Sequence, residues 1–138
     1  MKLTLKQYTE PLTIEVERNG EVVDTLDFEL DFCDSNVFKM VDMAHEVIKI
    51  TSGFDASAGT KETIKTANAA IEKIEPMIDM LAGEGATKRI AEAFGKAYKP
   101  EDVLRGIIDV WNSLNEECFA RSTKSRVAAA ERYLDAEA

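Results

Sequence analysis

The stretch Leu12-Thr13-Ile14-Glu15-Val16-Glu17-Arg18-Asn19-Gly20-Glu21-Val22-Val23-Asp24-Thr25-Leu26-Asp27-Phe28-Glu29-Leu30-Asp31-Phe32 decides the fold. On both sides of Asn19-Gly20, apolar and polar residues alternate, the period of a half-buried strand, and the dipeptide between them is turn chemistry. A two-residue turn would pair Val16 with Val23 and leave Leu12 facing Asp27, splitting the apolar set between two faces. A three-residue loop, Arg18-Asn19-Gly20, with Gly20 supplying the positive φ of a bulge, pairs Val16 with Val22 and Leu12 with Leu26. That register collects Leu12, Ile14, Val16, Val22, Leu26, Phe28, Leu30 and Phe32 on one face, with Asp24 opposite Ile14 as the misfit. Glu15, Glu17, Glu21, Asp27, Glu29 and Asp31 take the wet face. Leu3, Leu5 and Tyr8 extend the first strand or add another, although Pro11 removes a ladder donor, so two to three strands are expected.

Beyond Phe32 the period changes to that of helices. Asp34-Ser35 is a helix-capping pair, and from Asn36 to Thr51 a broad stripe of Val37, Phe38, Met40, Val41, Ala44, Val47 and Ile48 predicts a largely buried helix. The polar, glycine-bearing run Thr51 to Thr60 reads as a mobile loop. Ile64, Ala67, Ile71, Ile74, Ile78 and Leu81 then recur at threes and fours, a narrow seam suited to another helix. Pro76 should kink or divide that helix. Gly83-Glu84-Gly85 turns a corner into a short helix carrying Ile90, Ala93 and Phe94, and Gly95 closes it. Pro100-Glu101-Asp102 opens the next, with Leu104, Ile107, Trp111, Leu114 and Cys118 in register. From about Ser122 to Ala136 the stripe thins to Val127, Ala130, Tyr133 and Leu134, so the last helix is weakly anchored.

The expected fold is therefore α+β: an acidic N-terminal β-hairpin followed by a four- to five-helix bundle in one domain. Its parts are a hairpin region over residues 1–34, a helical core over 35–120 and a C-terminal helix over 121–138. The length of 138 residues, with 45% apolar and 31% charged side chains, suits a single core. No run of about 20 apolar residues is present, and Met1 to Gln7 lacks the apolar stretch of a signal peptide, so the expected place is the cytoplasm, with no membrane partner. The net charge is −9. Between Glu10 and Asp34 every charged residue but Arg18 is a carboxylate, a surface that repels phosphate and disfavours nucleic acid. Near the other end, Arg121, Lys124 and Arg126 reverse the balance.

No spacing for nucleophile and base, metal ligands or a phosphate loop is found, so no catalytic, cofactor or metal residue is assigned. His45, the single histidine, is placed on or beside the buried stripe of its helix and read as structural. Cys33 and Cys118 lie too far apart for a metal motif and read as small buried apolar residues. Asp27, Glu29 and Asp31 lie on an extended strand rather than in a converging calcium loop. The two glycines of Gly83-Glu84-Gly85 read as a corner, since the lysine-hydroxyl pair of a nucleotide loop is missing. Trp111 reads as core, and Tyr133 is open to either core or interface. The residues assigned to partner binding are Ile64, Ile71 and Ile78 of the seam, with Tyr133 and Leu134 of the last helix.

The hairpin around Asn19-Gly20, the helix leading from Ser35, and the run Ile78-Asp79-Met80-Leu81-Ala82-Gly83-Glu84-Gly85-Ala86-Thr87-Lys88-Arg89-Ile90 followed by Asp102 to Leu114 together resemble the tail assembly chaperones of long-tailed bacteriophages. The likeness spans most of residues 12 to 118. It implies passive binding of the tail tape-measure protein, with tail-tube protein as a second candidate partner, in the host bacterial cytoplasm. A homo-oligomer is left open. Many members carry an extension made by ribosomal frameshifting. This chain departs from that pattern, because near its end it lacks the Gly-Lys pair often encoded at the slip site and Ser122-Thr123-Lys124-Ser125 does not replace it. The rival reading is a small acidic regulator or inhibitor, with Glu15, Glu17, Asp27, Glu29 and Asp31 set against the basic surface of a nucleic-acid-binding protein.

Overall fold

The computed structural model describes residues 1–3, 9–52 and 59–137, with the side chains of the final helix described as far as Thr123. Two antiparallel strands, β1 (Thr9–Arg18) and β2 (Glu21–Asp31), are followed by four helices: α1 (Asp34–Ser52), α2 (Thr60–Ala82), α3 (Ala86–Gly95) and α4 (Pro100–Glu137). The expected hairpin and helical bundle are both present. Leu5, Tyr8 and the centre of the expected Thr51 to Thr60 loop lie outside the described residues.

The register of the hairpin differs from the expected one. Asn19 and Gly20 have φ of 55° and 82°, the two left-handed residues of a two-residue type I′ turn, and Arg18 pairs directly with Glu21. One extra residue on β2 then shifts the register between Val16 and Glu17, so that Val16 faces Asp24, Ile14 faces Leu26 and Leu12 faces Phe28. The chain uses a tight turn and a separate bulge where one three-residue loop was expected. The inner face still holds even-numbered residues, but Val22 leaves it and is exposed. Asp24, beside Val16, is neutralised by Lys96 at the end of α3, whose Nζ lies 2.8 Å from its carboxylate. That hydrogen bond holds the Asp24 carboxyl below its ordinary value of 3.8.

Asp31 and Asn36 fasten the hairpin to α1. The Asp31 carboxylate accepts from the Cys33 N–H, and the Asn36 amide donates to the Asp31 carbonyl. Asp34 and Ser35 thus lie inside the first turn rather than ahead of it. The α1 stripe is only partly buried: Val37, Met40 and Val47 are inside, while Phe38 and Ile48 face solvent. His45 is exposed, contrary to its expected place by the buried stripe, because the core lies on the Met40–Val47 side of the helix.

Helix α2 runs unbroken through Pro76, whose ring is exposed. Ala70, Ile74, Ile78 and Leu81 keep the helix packed on both sides of the proline, which offsets the lost backbone bond. At the corner Gly83 and Gly85 both take positive φ. The Asp79 carboxylate accepts from the N–H of Thr87 at 2.8 Å and of Gly85 at 3.4 Å, and also meets the Thr87 hydroxyl at 2.8 Å. It serves as an N-terminal cap for α3 supplied from the preceding helix, where both orphan N–H groups and the dipole favour an anion.

Helix α4 continues without interruption to Glu137, so the segment from Ser122 onward is not a separate helix. Its beginning is anchored. Ser122 is buried, and Arg121 bridges Glu10 and Glu117 while its guanidinium stacks over Phe32 at 4.2 Å. Ile107, Trp111, Leu114 and Cys118 enter the core as expected. Among the described residues no helix is long and apolar enough to cross a membrane.

Candidate partner-binding surface

Of the five residues assigned to partner binding, Ile78 is fully buried in the core between the helices and β2, so it is not on a surface at all. Its burial follows from the second half of the α2 seam being used internally, against α1, α4 and the sheet. Ile64 and Ile71 are half-buried on one flank of the same helix. The side chains of Tyr133 and Leu134 lie outside the described residues.

The apolar surface left over lies mainly elsewhere. On α1, Phe38 is 40% and Ile48 59% exposed, with half-buried Val41 and exposed His45 between them. Residues 38, 41, 45 and 48 follow the three-four-three spacing of a helix-docking stripe. Phe119 on α4 is 63% exposed. The α1 stripe was visible as a hydrophobic pattern, but no sequence signal separated the residues turned inward from those turned outward.

A second feature has no counterpart in the assigned residues. An open groove of about 530 Å³ lies between β1 and α4 and is closed at one end by α3. Leu12 and Ile14 of β1, Phe94 and Tyr98, and Val110 and Leu114 of α4 supply its apolar lining, and Asp102, Arg105 and Asp109 of α4 its charged groups. Gly106 lets α4 approach Phe94 closely, since a Cβ there would lie 2.8 Å from two ring carbons.

The groups capable of chemistry are dispersed. Cys118 is buried, and that burial pushes its thiol up to about 11, against its nucleophilic use. Cys33 is half-buried rather than buried. Among the described residues no group of three His, Cys, Asp or Glu side chains converges on a metal position. Glu15, Glu17, Asp27, Glu29 and Asp31 are all exposed on the outer face of the hairpin, where the Thr13 hydroxyl donates to Asp27. No family model, curated protein or solved structure matches the chain.

Proposed function

We propose that this protein is a bacteriophage tail assembly chaperone that binds and solubilises the tail tape-measure protein in the host bacterial cytoplasm, without catalysis. The observation that carries the reading is the α1 stripe on which Phe38 and Ile48 stay exposed to either side of half-buried Val41, at the spacing an amphipathic helix would match. The order of hairpin, helix, Gly83-Glu84-Gly85 corner and following helices in the sequence supports the family. Covering a foreign apolar helix face needs only reversible burial, and the net charge of −9 keeps the pair dispersed. Tail-tube subunits competing for the same surface would release it.

The test is co-expression with helical fragments of the tape-measure protein encoded nearby in the same genome. A fragment that becomes soluble with the wild-type chain and precipitates with the Phe38→Ser/Ile48→Ser variant fits the proposal. Fragments equally soluble with and without the protein count against it.

The exposed carboxylates on the hairpin favour a second reading, a regulator that covers a basic protein surface. Salt separates the two. Charge-led binding weakens steeply between low and high ionic strength, whereas apolar coverage persists.

A further inference from the structure

We propose that the free edge of β1, with the groove beside it, is a strand-addition site for an extended segment of a partner protein in which apolar residues alternate with Lys or Arg. The inference does not rest on the chaperone reading, whose carrying surface is on α1.

Among the described residues the sheet has two strands, so the outer edge of β1 has no neighbouring strand, and Leu12 and Ile14 of β1 line the groove shared with α4. A proline inside a paired strand turns its nitrogen away from the partner strand. Pro11 pairs with Glu29, and the ladder runs without a shift from Thr9 to Val16. Thr13 and Glu15, two and four residues further on, therefore turn their N–H and C=O groups to the same open edge. Among the described residues no hydrogen bond outside the ladder takes up those groups. Among the described residues the edge is tied at its two ends. The Tyr98 hydroxyl donates to the Glu17 carbonyl at 3.4 Å, and Arg121 pairs with Glu10. The open stretch between the ties, residues 11 to 16, is roughly 20 Å long, enough for about six residues of added strand.

The two faces of such a strand would meet opposite chemistries. On the inner face of the sheet Val16, Leu26, Phe28 and Leu30 are buried, but Leu12 and Ile14 are only half-buried. Apolar side chains of an added strand would lie beside these two and reach Val110 and Leu114 across the groove. The alternate side chains would stand beside Thr13, Glu15 and Glu17, with Asp27 and Glu29 one strand further. Opposite charges on neighbouring strands attract and like charges repel. A second copy of β1 would set carboxylates against carboxylates, so the edge selects a basic partner rather than itself.

The probe is a nine-residue peptide alternating Lys and Val, followed by amide exchange and chemical-shift mapping on the full chain. At roughly millimolar peptide, exchange of the Thr13 and Glu15 amides is expected to slow at least about tenfold, in the range of a newly formed backbone hydrogen bond. A scrambled peptide of the same composition should leave both amides unchanged. Thr13→Pro removes one edge donor while leaving the ladder to β2 intact, and should weaken binding about tenfold. Glu15→Lys/Glu17→Lys should reject this peptide and accept one alternating Glu and Val. Binding without protection of Thr13 and Glu15, equal binding of the scrambled peptide, no binding, or a wild-type dimer abolished by Thr13→Pro would each overturn the proposal.

Discussion

Replacing Gly106 by alanine sets two known effects against each other. In an exposed helix interior the change stabilises by about 1 kcal/mol, because alanine has less backbone freedom to lose. Here the new Cβ would lie 2.8 Å from Cδ2 and Cε2 of Phe94, well inside the roughly 3.5 to 4 Å at which carbon atoms attract. The ring must move by roughly 1 Å. Phe94 is buried and already stands edge-on to Tyr98 with centroids 6.1 Å apart, so the movement disturbs the end of the groove. Overpacking of this kind costs about 1 to 3 kcal/mol. The net expectation is a loss of up to about 2 kcal/mol, the overpacking cost less the helix gain. Urea unfolding followed by Trp111 fluorescence measures it. Removing the ring edge restores the helix gain, so Gly106→Ala in a Phe94→Leu background should be neutral or stabilising. If Gly106→Ala alone stabilised the wild-type chain by the full helical increment, the close approach of α4 to α3 would be refuted.

Asp79→Ala removes the carboxylate that caps α3 and should cost about 1 to 2 kcal/mol in urea unfolding; an unchanged midpoint would deny Asp79 that role. Cys118 holds its proton more tightly folded than unfolded, with a native pKa of about 11 against an ordinary 9.0. Its contribution is whole below pH 9, and about 2 to 3 kcal/mol drains away as pH rises from about 9 to 11. The stability gap between wild type and Cys118→Ala should narrow over that window, and a constant gap would contradict the burial argument. In native protein a thiol reagent should modify Cys33 well before Cys118. Ile78→Ala should cost about 2 to 5 kcal/mol as a core deletion, while Ile48→Ser should change stability by less than about 0.5 kcal/mol. Comparable thermal shifts for the two would erase the distinction between core and offered surface.

Local pattern carried the hairpin, the α2 seam, the glycine corner and the Pro100 start of α4, because strand and helix periods are properties of consecutive side chains. It also led to an α+β fold. The turn at Asn19-Gly20 was legible, but not the separate bulge that follows it; Leu26 and Phe28 face inward in either register, and what differs is that Val22 is left in water and Asp24 comes to lie beside Val16, where Lys96 from the end of α3 pairs with it. Similarly, the local chemistry of Pro76 predicts a kink or a division of the helix, yet burial on both sides of it keeps α2 whole.

What the chain's own order of residues determined is which faces are apolar and where the backbone must turn. Which apolar faces are consumed was decided only by packing. Ile78 and Leu81 disappear between helices, whereas Phe38 and Ile48, carried by an equally plausible stripe, stay in water. The groove between β1 and α4, and the approach of Gly106 to Phe94, join residues far apart in sequence. Periodicity fixes a side chain's direction about its own helix axis, but only the positions of neighbouring elements determine what that direction meets.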